Sequence, residues 1–173
     1  NPFDQPNVES AKIQARKMVE AYEKTGKLPE VEYSALTEES TDRFLSNSSA
    51  GDYISLQAYV NPTKEAKQIL SKIRHNLRDK YKLATTLGFG PRFLHSTGQL
   101  HKGDAGNGLF IQITSQKKND LPIPDHPGTE TSIMSFQTLK ISQALGDAAA
   151  LEENNRRLIR IKINHIEDLK TLI

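Results

Sequence analysis

Two stretches of this 173-residue chain place cations, amides and turn residues at spacings that could hold an anion. The first opens the chain, where Asp4, Gln5, Pro6, Asn7 and Lys12 surround the expected start of a helix. With Asp4 or Asn7 capping that helix, its positive end lies near Gln5, and an amide and an ammonium one turn further on can face the same anionic ligand. The second is Gly88-Phe89-Gly90-Pro91 followed by Arg92, His95 and Lys102. A strand that ends in these glycines and leads into a helix lets backbone N–H groups crowd around a phosphate, with the three side chains adding charge. The same residues also suit a purely structural turn, with Lys12 on a solvated helix face, so both accounts stand at this point. The spacing is neither a dinucleotide fingerprint nor a Walker loop. His75 and His126 belong to no metal-binding spacing and read as surface residues. No metal and no cofactor is expected.

The elements that must carry these residues follow from periodicity. Val8, Ala11, Ile13, Ala15, Met18, Val19 and Tyr22 recur at three- and four-residue steps before Gly26, which predicts a helix over residues 7–25. Residues 28–50 are rich in Glu, Ser and Thr and read as a linker, with a domain boundary near residue 51. Beyond it, Asp52 to Val60, Leu83 to Leu87, Gly108 to Thr114 and Arg157 to Ile163 are strand candidates. Helices are expected from Thr63 to Tyr81, from Pro91 to His101 and from Ser135 to Glu153, with a last helical turn after His165. The alternation predicts an α/β fold with a small four-stranded parallel or mixed sheet and packed helices, preceded by an N-terminal helix and a linker.

Composition narrows the classes of partner. The 23 basic and 21 acidic residues are interspersed, which argues against nucleic acid; Lys117-Lys118 and Arg156-Arg157 are only doublets. The chain has no cysteine, which excludes disulfides, thiolate nucleophiles and cysteine-based zinc sites. No apolar run approaches the roughly 20 residues of a membrane helix, and no signal peptide opens the chain, so a soluble protein without membrane contact, located in the cytoplasm, is expected. The absence of an initiator methionine permits a fragment.

The opening stretch Asn1-Pro2-Phe3-Asp4-Gln5-Pro6-Asn7-Val8-Glu9-Ser10-Ala11-Lys12 resembles the segment that opens the last helix of glucose-6-phosphate isomerases. The region from Ala84 to Gly103, together with Asp52 to Tyr59, Asp120 to Pro124, Ser135-Phe136, Gln143 to Asp147 and Arg156-Arg157, resembles the C-terminal region of transaldolase–glucose-6-phosphate isomerase fusion proteins. Asp104 stands where a second glycine would be expected. The resemblance implies an aldose–ketose isomerase acting on glucose 6-phosphate and fructose 6-phosphate. Lys12 would reach the sugar oxygens during ring opening and stabilise charge near the carbonyl, and Gln5 would contact the substrate. Residues 1–27 would be the terminal helix of the isomerase catalytic region, and residues 51–173 a C-terminal α/β domain.

In the resembling family, the glutamate base, the ring-opening histidine and the Ser/Thr-rich phosphate loop all precede this motif. The isolated chain is therefore expected to be inactive, because enediol chemistry needs a base beside the reacting C–H. The expected partners are a sugar phosphate and upstream isomerase domains; a homo-oligomer is compatible with the sequence. Two other readings are a non-catalytic docking module formed by residues 51–173 and an independent sugar-phosphate-binding domain resting on Arg92, His95 and Lys102.

Overall fold

The computed structural model describes residues 5–116 and 120–172. In chain order the elements are α1 (Pro6–Thr25), α2 (Glu38–Leu45), β1 (Tyr53–Tyr59), α3 (Lys64–Tyr81), β2 (Ala84–Phe89), α4 (Leu94–Gly103), β3 (Gly108–Ser115), β4 (Pro122–Ile123), β5 (Met134–Ser135), α5 (Phe136–Glu153) and β6 (Arg157–Ile163), closed by a 3₁₀ helix (Ile166–Leu172). The fold is α/β. Its centre is a four-stranded, wholly parallel sheet in the order β2-β1-β3-β6, and β4 and β5 form a separate antiparallel pair.

Parallel neighbours require crossovers, and β1–α3–β2 leaves the centre in one direction while β3–α5–β6 leaves in the other. Right-handed connections then put α3 and α5 on opposite faces. Each strand serves both faces by alternation. In the register Ile54↔Leu109, Leu56↔Ile111 and Ala58↔Ile113, the aliphatic side chains point to α3, where Ile69, Leu70, Ile73 and Leu77 cover them, with Leu45 and Leu169 closing the layer. The intervening Ser55, Gln57, Tyr59, Gln112 and Thr114 are also buried, although polar. They meet α4 and α5, as the Gln57–His101 contact at 3.3 Å and the Gln112 amide donating to the Ala144 carbonyl at 3.0 Å show.

Helix α1 lies outside α5 and also touches α4. Gly26, at φ 70°, ends it in the left-handed conformation that the sequence calls for there. Its start differs from expectation. Gln5 occupies the cap position without a side-chain cap bond, and Pro6 supplies a pre-set first turn, while Asn7 lies inside the helix and its N–H donates to the Gln99 side chain at 3.0 Å. Asp4 lies outside the described residues.

The stretch 28–50 is more than a tether. Thr37 accepts from the Ser40 N–H at 3.1 Å and caps α2, and the fully buried Leu45 joins the aliphatic core. Lys80 of α3 pairs with Glu38 and Asp42, and the Tyr81 hydroxyl donates to Asp42. One helix of eight residues whose two apolar residues, Phe44 and Leu45, are adjacent leaves little periodicity in a sequence this polar.

Candidate functional site

Three of the residues singled out from the sequence meet in one place. Lys12 and Ala15 of α1, Leu94, His95 and Lys102 of α4, and Gln143 of α5 line a cleft of about 100 Å³ between the three helices. Gln5 and Arg92 are exposed and do not line it. Lys12 is half-exposed at the mouth, 3.3 Å from Glu9 one turn earlier on the same helix. His95 is exposed beside it. The cleft is smaller than the roughly 300–1,000 Å³ of a small-molecule pocket, so as it stands it has room for part of a ligand only.

The turn that leads into α4 does not present a free set of amides. Gly90 N–H donates to the Ala58 carbonyl at 2.9 Å, Phe93 N–H to Phe89 at 3.2 Å, Leu94 N–H to Pro91 at 3.0 Å and His95 N–H to Arg92 at 3.3 Å. The glycines have a packing reason. A Cβ on Gly90 would stand 2.5 Å from the Tyr59 ring, and one on Gly88 would stand 2.8 Å from Phe93. The peptide joining Gly90 to Pro91 is cis. Arg92 is exposed and makes no side-chain hydrogen bond or ion pair among the described residues.

Lys102 requires a correction. Its side chain is wholly buried, and its ammonium is paired with the equally buried Asp147 of α5, while also reaching the Gly98 carbonyl at 3.4 Å. The Tyr59 hydroxyl donates to the same carboxylate at 3.4 Å. A lysine neutralised in this way cannot add charge to an anion at the turn. Burial pushes the Asp147 carboxyl above its ordinary value, against the opposing pull of Lys102 and Tyr59, and burial likewise pushes the Tyr59 hydroxyl well up. An ion pair with no water access is held by geometry and by these extra hydrogen bonds, because desolvation offsets much of the Coulombic attraction.

A second layer of polar contacts ties down the far end of α4. Arg156 donates to the Lys102 carbonyl at 2.7 Å and the Asp104 carbonyl at 2.8 Å, and it pairs with the Asp104 carboxylate at 3.2 Å, satisfying acceptors that a helix C-terminus leaves open. Asp104 also accepts from the Tyr53 hydroxyl at 2.7 Å. His101 packs among Tyr53, Phe93 and Phe110, and burial, followed by the neighbouring Lys102 charge, lowers its pKa to about 4. Sequence reading missed Tyr59, His101, Asp147 and Arg156 as partners in this network. The one signal available was Asp147 itself, a lone acid inside Ala144-Leu145-Gly146-Asp147-Ala148-Ala149-Ala150-Leu151, where an amphipathic helix would place its charges on one exposed side.

Among the described residues, no group of three or more His, Asp or Glu side chains is placed to hold a metal ion, and no helix is long and apolar enough to cross a membrane. The Lys117-Lys118 doublet lies outside the described residues.

The chain matches no protein-family model and no curated protein. Among solved structures it is similar to a hypothetical protein, TT0462, from Thermus thermophilus, with a TM-score of 0.63 and 16% identity over 94% of this chain. This chain spans 40% of that protein's length. At that identity the likeness extends to the fold alone.

Proposed function

We propose that this chain is the C-terminal portion of a cytoplasmic sugar-phosphate isomerase of the glucose-6-phosphate isomerase type, in the form fused to transaldolase. In this reading it contributes Lys12 and Gln5 to an active site that upstream domains complete. The observation that carries the reading is the conjunction of the opening motif with the position of its lysine. Lys12 stands at the mouth of a cleft, its ammonium half in solvent, on a helix held from behind by α4 and α5. The cleft's small volume agrees with a site of which this chain supplies only a part. An ammonium in this position would stabilise negative charge developing on the sugar oxygens as the ring opens and the enediol forms. The proton abstraction itself would fall to a base outside this chain.

A second reading has its own support. The Lys102–Asp147 pair, the occupied amides of the Gly88–Leu94 turn and the Arg156 contacts are all internal. They suit a rigid module that residues 51–173 use to dock on the isomerase core. The two readings differ in what the opening helix does. Purified chain 1–173 should show no interconversion of glucose 6-phosphate and fructose 6-phosphate, while the full-length protein encoding it should turn over both. Turnover by the isolated chain would overturn the claim that upstream domains complete the site, and no turnover by the full-length protein would overturn the isomerase assignment.

A further inference from the structure

Helix α1 brings its backbone close against α5 at one glycine. A Cβ built on Gly146 would lie 2.6 Å from the Ala15 Cα and 2.8 Å from the Ala15 Cβ, and closer still to the Ala15 amide nitrogen. The obstacle is backbone, so no side-chain rotation relieves it, and any larger residue must push α1 away from α5. Ala15 is one helical turn after Lys12, and both line the same cleft. A helix moves as a rigid rod over one turn, so a displacement at Ala15 is carried to Lys12.

A second contact sets the position of α1 along its own axis. Glu153, the last residue of α5, accepts from Ser10 at 3.4 Å and from the Gln14 side-chain amide, and these two residues flank Lys12 on consecutive turns. Gln14 is a buried residue of α1, so its amide has few other partners to exchange for this one.

We propose that Gly146 and Glu153 are positioning residues for Lys12: Gly146 sets how deeply α1 seats on α5, Glu153 sets its register, and together they fix where the ammonium stands. The inference rests on the reading of Lys12 given above, and goes beyond it in assigning the residues on α5 through which the lysine is aimed.

The test is a double-mutant cycle in the full-length protein, read as kcat and KM for fructose 6-phosphate. Gly146→Ala should lower kcat by about 10- to 100-fold, the scale of an ångström-sized misplacement, with KM changed much less. In a Lys12→Ala background the same substitution should cost almost nothing more, because its effect passes through the missing ammonium. Glu153→Ala should behave likewise with a smaller loss, and Glu153→Gln, which keeps an acceptor for Ser10 and Gln14, should restore most of the rate. If Gly146→Ala fails to fold, the Glu153 series decides by the same criterion. Losses that multiply in the Lys12→Ala background, or unchanged kcat in Gly146→Ala and Glu153→Ala, would overturn the positioning role while leaving Lys12 in the site. An unchanged kcat in Lys12→Ala alone would instead remove Lys12 from the site, and the inference with it, whereas a full-length protein with no turnover at all would overturn the isomerase reading.

Discussion

The two faces of the sheet are built from the same four strands on different principles. Toward α3 the strands present Ile54, Leu56, Ala58, Leu109, Ile111 and Ile113, an aliphatic layer whose attraction is non-directional and proportional to the area buried. Toward α4 and α5 they present Gln57, Tyr59 and Gln112, each tied to a specific atom of a helix. An aliphatic layer tolerates small shifts of the helix above it, whereas a hydrogen-bonded layer does not, because a donor moved by an ångström loses its acceptor. The directional face is the one that carries α1, and with it Lys12. Parallel strands buried on both sides are usually apolar throughout, so the polar half of this alternation marks the face where helix position is specified.

The largest break between the faces comes from the buried ion pair. Asp147→Ala leaves the Lys102 ammonium sealed in without a partner and should cost about 3–5 kcal/mol in urea denaturation. Replacing both partners together, as Lys102→Met with Asp147→Leu, should recover most of that loss, since a buried pair contributes little net stability. A double variant as unstable as the single one would show that the polar face stabilises as strongly as the aliphatic face.

The next effect is set by pH. Because His101 is held neutral in the folded state, with a pKa of about 4, the unfolded chain takes up a proton between roughly pH 6.5 and 4 that the folded chain refuses. Stability should therefore fall as pH drops through that window, by up to about 3 kcal/mol, with no further loss from this group below it. His101→Gln should flatten that part of the curve of unfolding free energy against pH. The same slope in the variant would remove His101 as its source.

On the aliphatic face, Ile111→Val deletes one methylene from a layer that can partly close over it and should cost about 0.5–1.5 kcal/mol. A loss equal to that of Asp147→Ala would erase the contrast between the faces. Smallest of all, Arg92→Ala should change stability by no more than about 0.5 kcal/mol, because the side chain is exposed and makes no contact among the described residues that depends on its charge. Thermal melts of the two proteins should superimpose.

What could be read from the sequence follows the same division. The strands and the long helices were legible because their apolar residues recur with periods of two and of three to four; β6 runs from Arg157 to Ile163 as expected, and Ser135 and Thr63 cap α5 and α3. Helix α2 was not, since one buried leucine among eight mostly polar residues leaves no stripe. The convergence of Lys12 and His95 on one cleft was legible only as two separate clusters, because their meeting depends on α1 lying across α4, a long-range contact that no local pattern encodes. Lys102 was misread for a related reason. A lysine beside a glycine-rich turn looks like a ligand cation until its acid, 45 residues away in the chain, is brought against it by the packing of α4 on α5.

Lys12 bears the most weight, and turnover of the full-length protein with Lys12→Ala, measured beside its thermal unfolding, tests its role most directly. Removal of a charge that acts mainly in the transition state should lower kcat by about 100-fold or more while the unfolding midpoint stays close to that of the unaltered protein, since the side chain is half-exposed on a helix surface. A variant that interconverts glucose 6-phosphate and fructose 6-phosphate at the unaltered rate would contradict it.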